Sequence, residues 1–172
     1  MPRYGYERLS AQDNSFLLFE TRNVHMHVAS TLVFETGPLR TREGGVDIDA
    51  IKRSFEQVLH QVPRYRQRLH FVPIDGRAVW VDDAQFSLDY HIRHTALPKP
   101  GDESQLKKLS SRVMAQQLDR KRPLWETWIV EGLAGGDRFA MISKIHHCMI
   151  DGVSGVDLLN TQLRPTPDRH LP

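Results

Sequence analysis

Two nine-residue apolar runs, WETWIVEGL (125–133) and RFAMISKIH (138–146), constrain this chain more than any other feature. They flank Gly135-Gly136 and read as two strands around a glycine turn. A strand pair this apolar must be covered by other elements, which points to a layered fold. The second run also delivers the chain into HHCMIDG, His146 to Gly152: two adjacent histidines, an aspartate four residues after the second, then a glycine.

The remaining chain supplies the cover. Ser10 followed by Asp13 reads as a helix start, with Phe16, Leu17 and Phe19 behind it. Val24 to Phe34 reads as a strand, with Met26, Val28, Leu32 and Phe34 on one parity and His25, His27 and Thr31 on the other. Residues 36–45 read as a loop. Asp47 opens an amphipathic helix carrying Ile48, Ile51, Phe55, Val58, Leu59 and Val62, which Pro63 ends. Arg66 to Val72, Ala78 to Val81 and Leu88 to Ile92 read as strands, with Asp75-Gly76 as a turn. Pro98, Pro100 and Gly101 break the chain, and Asp102 caps a second long helix with Leu106, Leu109, Val113 and Leu118 on its apolar side. Pro123 closes that unit. A third helix is expected from Ser154, with Asp157 as its acid, and the tail RPTPDRHLP (164–172) reads as a linker. At least five strands interleaved with two long helices predict an α/β chain: a mixed sheet with helices packed on it, in a two-layer α+β sandwich.

Length and composition narrow the class. The chain has 172 residues, 40% hydrophobic and 26% charged, which suits one domain with a real core. Its single cysteine, Cys148, excludes an intrachain disulfide. The N-terminus lacks the apolar stretch of a signal peptide, and no run approaches the 18 apolar residues of a membrane span. A net charge of +2 is too small to argue for nucleic acid, and no RNA- or DNA-binding motif is present. No nucleic-acid partner is expected.

HHCMIDG admits several readings. Histidine is the side chain that exchanges protons near neutral pH. On an extended strand His146 and His147 point to opposite faces, so one can meet a pocket while the other bonds inside. Asp151 lies where the chain can turn back to orient the site or pin the turn through a cation, and Gly152 permits a tight turn or close approach. The plain alternative is a strand end with Asp151 capping the next helix. A metal site has little support: there is no HExxH or CxxC spacing, and adjacent strand histidines diverge. Cys148 reads as a small core residue.

HHCMIDGVSG resembles the HHxxxDG motif of CoA-dependent acyltransferases, the superfamily of chloramphenicol acetyltransferase and of peptide-synthetase condensation domains. LSAQDNSFL, VHMHVASTLVFE, PRYRQRL and PLWETWIVEGL extend that resemblance to the bacterial wax ester synthase/diacylglycerol acyltransferase family. The resemblance implies a chloramphenicol acetyltransferase-like half-domain. It implies an O-acyltransferase that moves a long-chain acyl group from acyl-CoA to diacylglycerol or a long-chain alcohol. His147 would be the general base and His146 structural. Asp151 would shape the site through an arginine, for which Arg66 is the candidate, and Gly152 would keep the acyl-CoA channel clear. Pro123, Leu124, Trp125, Ser154 and Gly155 would be structural or line the substrate path. Acyl-CoA is a co-substrate, and no cofactor or metal is implied. A carrier-protein-dependent condensation enzyme and a non-catalytic half that binds lipid or a partner are the alternatives.

The resemblance covers only the family's N-terminal half. Residues 1–163 are therefore expected to form the subdomain that carries HHxxxDG. Residues 164–172 are expected to lead to an absent C-terminal half, supplied as a separate chain or a missing segment. Exposed apolar surface and dependence on that half follow as expectations. Lipid substrates imply a cytoplasmic protein associated peripherally with membrane or lipid droplets.

Overall fold

In the computed structural model, which describes residues 6–73 and 76–150, the elements run β1 (Glu7–Arg8), α1 (Ala11–Phe19), β2 (His27–Glu35), α2 (Ile48–Leu59), β3 (Gln67–Phe71), β4 (Ala78–Asp82), α3 (Leu88–His91), β5 (Ile92–Ala96), α4 (Glu103–Met114), β6 (Trp125–Leu133) and β7 (Arg138–His146). The two apolar runs pair antiparallel, with Trp125 opposite Ile145 and Leu133 opposite Arg138. They form the centre of a four-stranded sheet ordered β2-β7-β6-β5, in which only the β5–β6 pair is parallel. A smaller antiparallel sheet is ordered β1-β4-β3.

Alternation along the central strands decides what each face meets. Ile129, Phe139 and Met141 join Ile51, Phe55 and Leu59 of α2 and Leu69 and Trp80 of the smaller sheet in the main core. Val130, Ala140 and Ile142 face the other way and are covered by Leu106 and Val113 of α4. The mixed sheet with helices packed on it is thus realised with helices on both faces.

Local chemistry starts the three long helices where the sequence places them. Ser10 Oγ accepts from the Asp13 N–H at 3.0 Å, and Asp47 Oδ1 accepts from the Ala50 N–H at 2.8 Å. Asp102 and Gln105 form a reciprocal capping box. Gly101 sits at φ +73° just before that box, and a Cβ there would lie 1.8 Å from the Gly132 carbonyl oxygen. Only glycine allows α4 to start this close to β6.

Some segments differ from the sequence reading. α4 ends at Met114, so Leu118, expected on its apolar side, lies beyond the helix and joins the main core instead. Leu88 to Ile92 is not a strand: residues 88–91 make one helical turn and the strand is Ile92–Ala96. The turn carries His91 inward, fully buried, where Nδ1 donates to the Trp125 carbonyl at 2.7 Å and the ring stacks on Trp125. Arg66 ends a short 3-10 turn, Pro63–Arg66, ahead of its expected strand. β2 begins at His27, and there the polar residue is the buried one while Val28 is exposed. The cause is the α4 terminus described below. The helix expected from Ser154 and the expected 163/164 boundary lie outside the described residues.

Candidate active site

The end of β7 presents the two histidines, and the β6–β7 hairpin explains why. Pairing Trp125 with Ile145 puts the start of β6 beside the end of β7, so the Leu124 carbonyl accepts from the His146 N–H at 3.0 Å. On the other side the Met26 carbonyl, just before β2, accepts from the His147 N–H at 2.8 Å. The backbone of both histidines is therefore clamped between β6 and β2. Residues 147–149 then make one 3-10 turn, which the His146 side chain caps.

The two imidazoles occupy opposite environments. His146 is fully buried. Its Nδ1 accepts from the Cys148 N–H at 3.1 Å, so its proton belongs on Nε2. Nε2 faces Glu20 Oε1 at 3.5 Å, an electrostatic contact too long for a good hydrogen bond. Burial pushes this imidazole down to about 4, overriding the pull of the Glu20 carboxylate. His147 is half-buried, and its ring stacks on Phe16 of α1 with centroids 4.9 Å apart. Among the described residues no side-chain hydrogen bond engages the His147 ring. Cys148 is buried, and burial pushes its thiol up to about 12, so it offers no thiolate.

Glu20 and Arg120 stand behind His146. The Glu20 side chain is 1% exposed; Arg120 donates to its Oε2 through Nη2 at 2.8 Å and Nε at 3.2 Å. The Met26 N–H donates to Oε1 at 3.3 Å. Burial pushes the Glu20 carboxyl up, but the bonds from Arg120, Gln117 and Met26 outweigh it and hold the group below its ordinary value. Arg120 also donates to the Leu17 carbonyl at 3.0 Å, which fastens α1 to the segment before β6.

Other sequence candidates fall elsewhere. Pro123, Leu124 and Trp125 are buried in the core; Trp125 packs between Phe55, Tyr65 and His91 and donates Nε1–H to the Tyr65 carbonyl at 2.8 Å. Arg66 is exposed, and among the described residues no ion pair engages it. Arg64, two residues earlier, lies 2.8 Å from Glu7 and over the Trp80 ring. It lines a polar cavity of 360 Å³ with Asp13, Cys148, Met149 and Ile150. Asp151, Gly152, Ser154 and Gly155 lie outside the described residues.

A model of the wax ester synthase/diacylglycerol acyltransferase catalytic domain matches residues 9–171. The chain belongs to the wax ester synthase/diacylglycerol acyltransferase family. It is 41% identical over 150 residues to the probable diacylglycerol O-acyltransferase tgs3 of Mycobacterium tuberculosis, covering 87% of this chain and 53% of that protein. It is 42% identical over 153 residues to the putative diacylglycerol O-acyltransferase Mb3154c of Mycobacterium bovis, covering 88% and 32%. The chain thus spans between a third and about half of these relatives. The solved wax ester synthase/diacylglycerol acyltransferase from Marinobacter aquaeolei VT8 superposes with a TM-score of 0.79 at 31% identity, over 95% of this chain and 38% of that one. The first condensation domain of the calcium-dependent antibiotic synthetase shares the fold alone, with a TM-score of 0.69 at 18% identity.

Within this family member, sequence reasoning missed Glu20, Arg120 and Phe16 as neighbours of the histidines. Phe16 was visible as an apolar residue of the first helix. Glu20 and Arg120 are 100 residues apart and read as ordinary surface charges; nothing local distinguishes them.

Proposed function

We propose that this chain supplies the proton-accepting wall of an acyl-CoA-dependent O-acyltransferase, with His147 as general base. One observation carries the reading: the adjacent histidines are divided by environment. His146 is sealed, with Nδ1 occupied and Nε2 turned to a buried carboxylate, whereas His147 is half-buried with no described ring bond. Of the two, only His147 can meet a substrate hydroxyl.

In this reading His147 takes the hydroxyl proton of diacylglycerol or a long-chain alcohol as the oxygen attacks the acyl-CoA thioester carbonyl. The tetrahedral intermediate collapses, the carbon–sulfur bond breaks, and CoA leaves as a thiolate that recovers the proton. The product is a triacylglycerol or wax ester, and no acyl-enzyme forms. The diacylglycerol O-acyltransferase names of the relatives support a lipid alcohol as acceptor. Asp151 and Gly152 would shape the turn beyond Ile150. Arg66, without a described partner, is available to answer Asp151, whereas Arg64 is already paired with Glu7. Ser154 and Gly155 would line the substrate path, and the rest of a family enzyme would supply the opposite wall. Among the described residues no helix is long and apolar enough to cross a membrane. Lipid substrates then favour peripheral association with a membrane or lipid droplet on the cytoplasmic side.

The test assays labelled acyl-CoA transfer to diacylglycerol by residues 1–172, alone and mixed with the C-terminal half of the family enzyme. The expected result is negligible turnover alone and recovery on mixing. His147→Ala in the mixture should lose roughly 10²- to 10⁴-fold in kcat. Robust turnover by the chain alone would refute the two-part site. Full activity of a folded His147→Ala protein would refute the base assignment.

A further inference from the structure

We propose that Glu20 and Arg120 are positioning residues for His147, acting through His146: Arg120 neutralises the buried Glu20 carboxylate so that His146 stays neutral and caps the turn that presents His147. The inference rests on the reading of His147 as base.

The chain of contacts is short. The turn at 147–149 begins with His146 Nδ1 accepting the Cys148 N–H. A proton on Nδ1 would abolish that bond, because the nitrogen would become a donor facing a donor. The threat comes from Glu20, a carboxylate 3.5 Å from Nε2 with both side chains 1% exposed. At that distance, in a medium of low polarity, an unpaired carboxylate draws a proton onto the imidazole. Arg120 prevents this by setting Nη2 and Nε on Glu20 Oε2. The charged and titratable groups that act on His146 are Glu20 at the end of α1, Arg120 before β6, His27 opposite it on β2, and His147 itself. Of these only Glu20 favours its protonation.

The same pair also sets what lies over His147. Arg120 holds the Leu17 carbonyl, one residue after Phe16, and Phe16 stacks on the His147 ring. Glu20 Oε1 accepts from the Met26 N–H, and the Met26 carbonyl in turn accepts from the His147 N–H. Ring and backbone of His147 therefore both trace to one ion pair that never touches substrate.

The experiment uses the 172-residue chain and ¹⁵N–¹³C NMR of its histidines across pH 5–8, comparing wild type with Arg120→Met, Arg120→Lys and the double variant Glu20→Gln/Arg120→Met. In wild type, His146 should remain the neutral Nε2–H tautomer throughout, with His147 signals shifted by the Phe16 ring. In Arg120→Met, His146 should take up a proton inside this range, and the Phe16 shift of His147 should vanish in the same titration. Arg120→Lys, which keeps the charge, should stay close to wild type. The double variant, which removes both charges, should restore neutral His146, even if Arg120→Met alone fails to fold, while the Phe16 shift returns only in part because the bond to the Leu17 carbonyl stays lost. A double variant in which His146 still takes up a proton inside this range would overturn the proposal, because with the Glu20 charge gone nothing among the described residues is left to draw that proton. A His146 that stays neutral in folded Arg120→Met would overturn it as well. In the mixed enzyme, Arg120→Met should lower kcat on the order of 10²-fold with KM for acyl-CoA unchanged, and the double variant should recover part of it. His147→Ala runs beside them: if it retains activity the base reading fails, while the NMR result stands or falls separately.

Discussion

Burial makes neighbouring histidines of this chain differ in kind. His91 and His146 are fully buried, and burial pushes each down to about 4; His27 is pushed in the same direction by burial, against its bond to Met114. The unfolded chain, with ordinary values near 6.5, therefore binds more protons than the folded one between about pH 6.5 and 4. Stability should be full above pH 6.5 and fall as the pH drops towards 4, by at most ~1.4 kcal/mol per pH unit for each histidine. Glu20, held low, adds a loss of the same sign only below its ordinary 4.5. Urea midpoints measured from pH 7.5 to 4.5 should trace this slope, and His91→Phe should flatten it while keeping an aromatic ring on Trp125. A midpoint that does not move between pH 7 and 5 would contradict the burial of these rings. The sequence carried the pairing of His146 and His147 and the idea that one bonds inside, because alternation along a strand is local. It could not carry which charges sit behind them, since Glu20 and Arg120 meet only when α1 docks on the strand ends.

The elements show the same division. Helix starts at Ser10, Asp47 and Asp102 were legible because a cap involves residues three apart. The end of α4 was not, because its partners come from strands far away in sequence. Lys144, 1% exposed, donates to the Val113 and Gln116 carbonyls at 2.8 and 2.7 Å. His27 Nε2 lies 2.7 Å from the Met114 carbonyl and His25 Nε2 3.1 Å from that of Ala115. Four successive carbonyls, the negative end of the helix dipole, are thus received by β2, its approach and β7. This is why a histidine rather than Val28 is buried at the start of β2. Lys144 also lies 2.8 Å from Glu126, directly opposite on β6, and Arg93 approaches the same carboxylate at 3.4 Å. Lys144→Met should therefore cost about 3–5 kcal/mol, since it leaves two buried carbonyls unbonded and the mostly buried Glu126 carboxylate with only the longer Arg93 contact. Adding Glu126→Gln should return part of that loss. Denaturant unfolding of the two variants checks both statements, and a loss below ~1 kcal/mol for Lys144→Met would mean that water replaces the ammonium.

At the scale of the whole molecule, exposed apolar residues are not scattered evenly. Leu18, Phe19, Val24, Val28 and Val33 are all exposed, and all lie on the continuous segment from α1 through β2. β2 is also an edge of the four-stranded sheet, with no partner on its outer side among the described residues. The segment contains Phe16 and Glu20, so it borders the turn that presents His147. Under the proposed function, this open, partly apolar edge beside His147 is where the opposite wall of the site would dock. Leu18→Ser/Phe19→Ser tests this without touching the core, because these side chains are 74% and 66% exposed. The thermal midpoint of the chain should change little, as surface substitutions usually stay within about 0.5 kcal/mol. Titrating the C-terminal half of the family enzyme against wild type and variant, with recovered acyl transfer as readout, should give a tenfold or greater rise in the half-saturating concentration. The rate at saturation should be close to wild type, since His147 and its support are intact. An unchanged half-saturating concentration would place the docking surface elsewhere on the chain. A lower saturating rate at unchanged half-saturation would instead assign Leu18 and Phe19 to the substrate path.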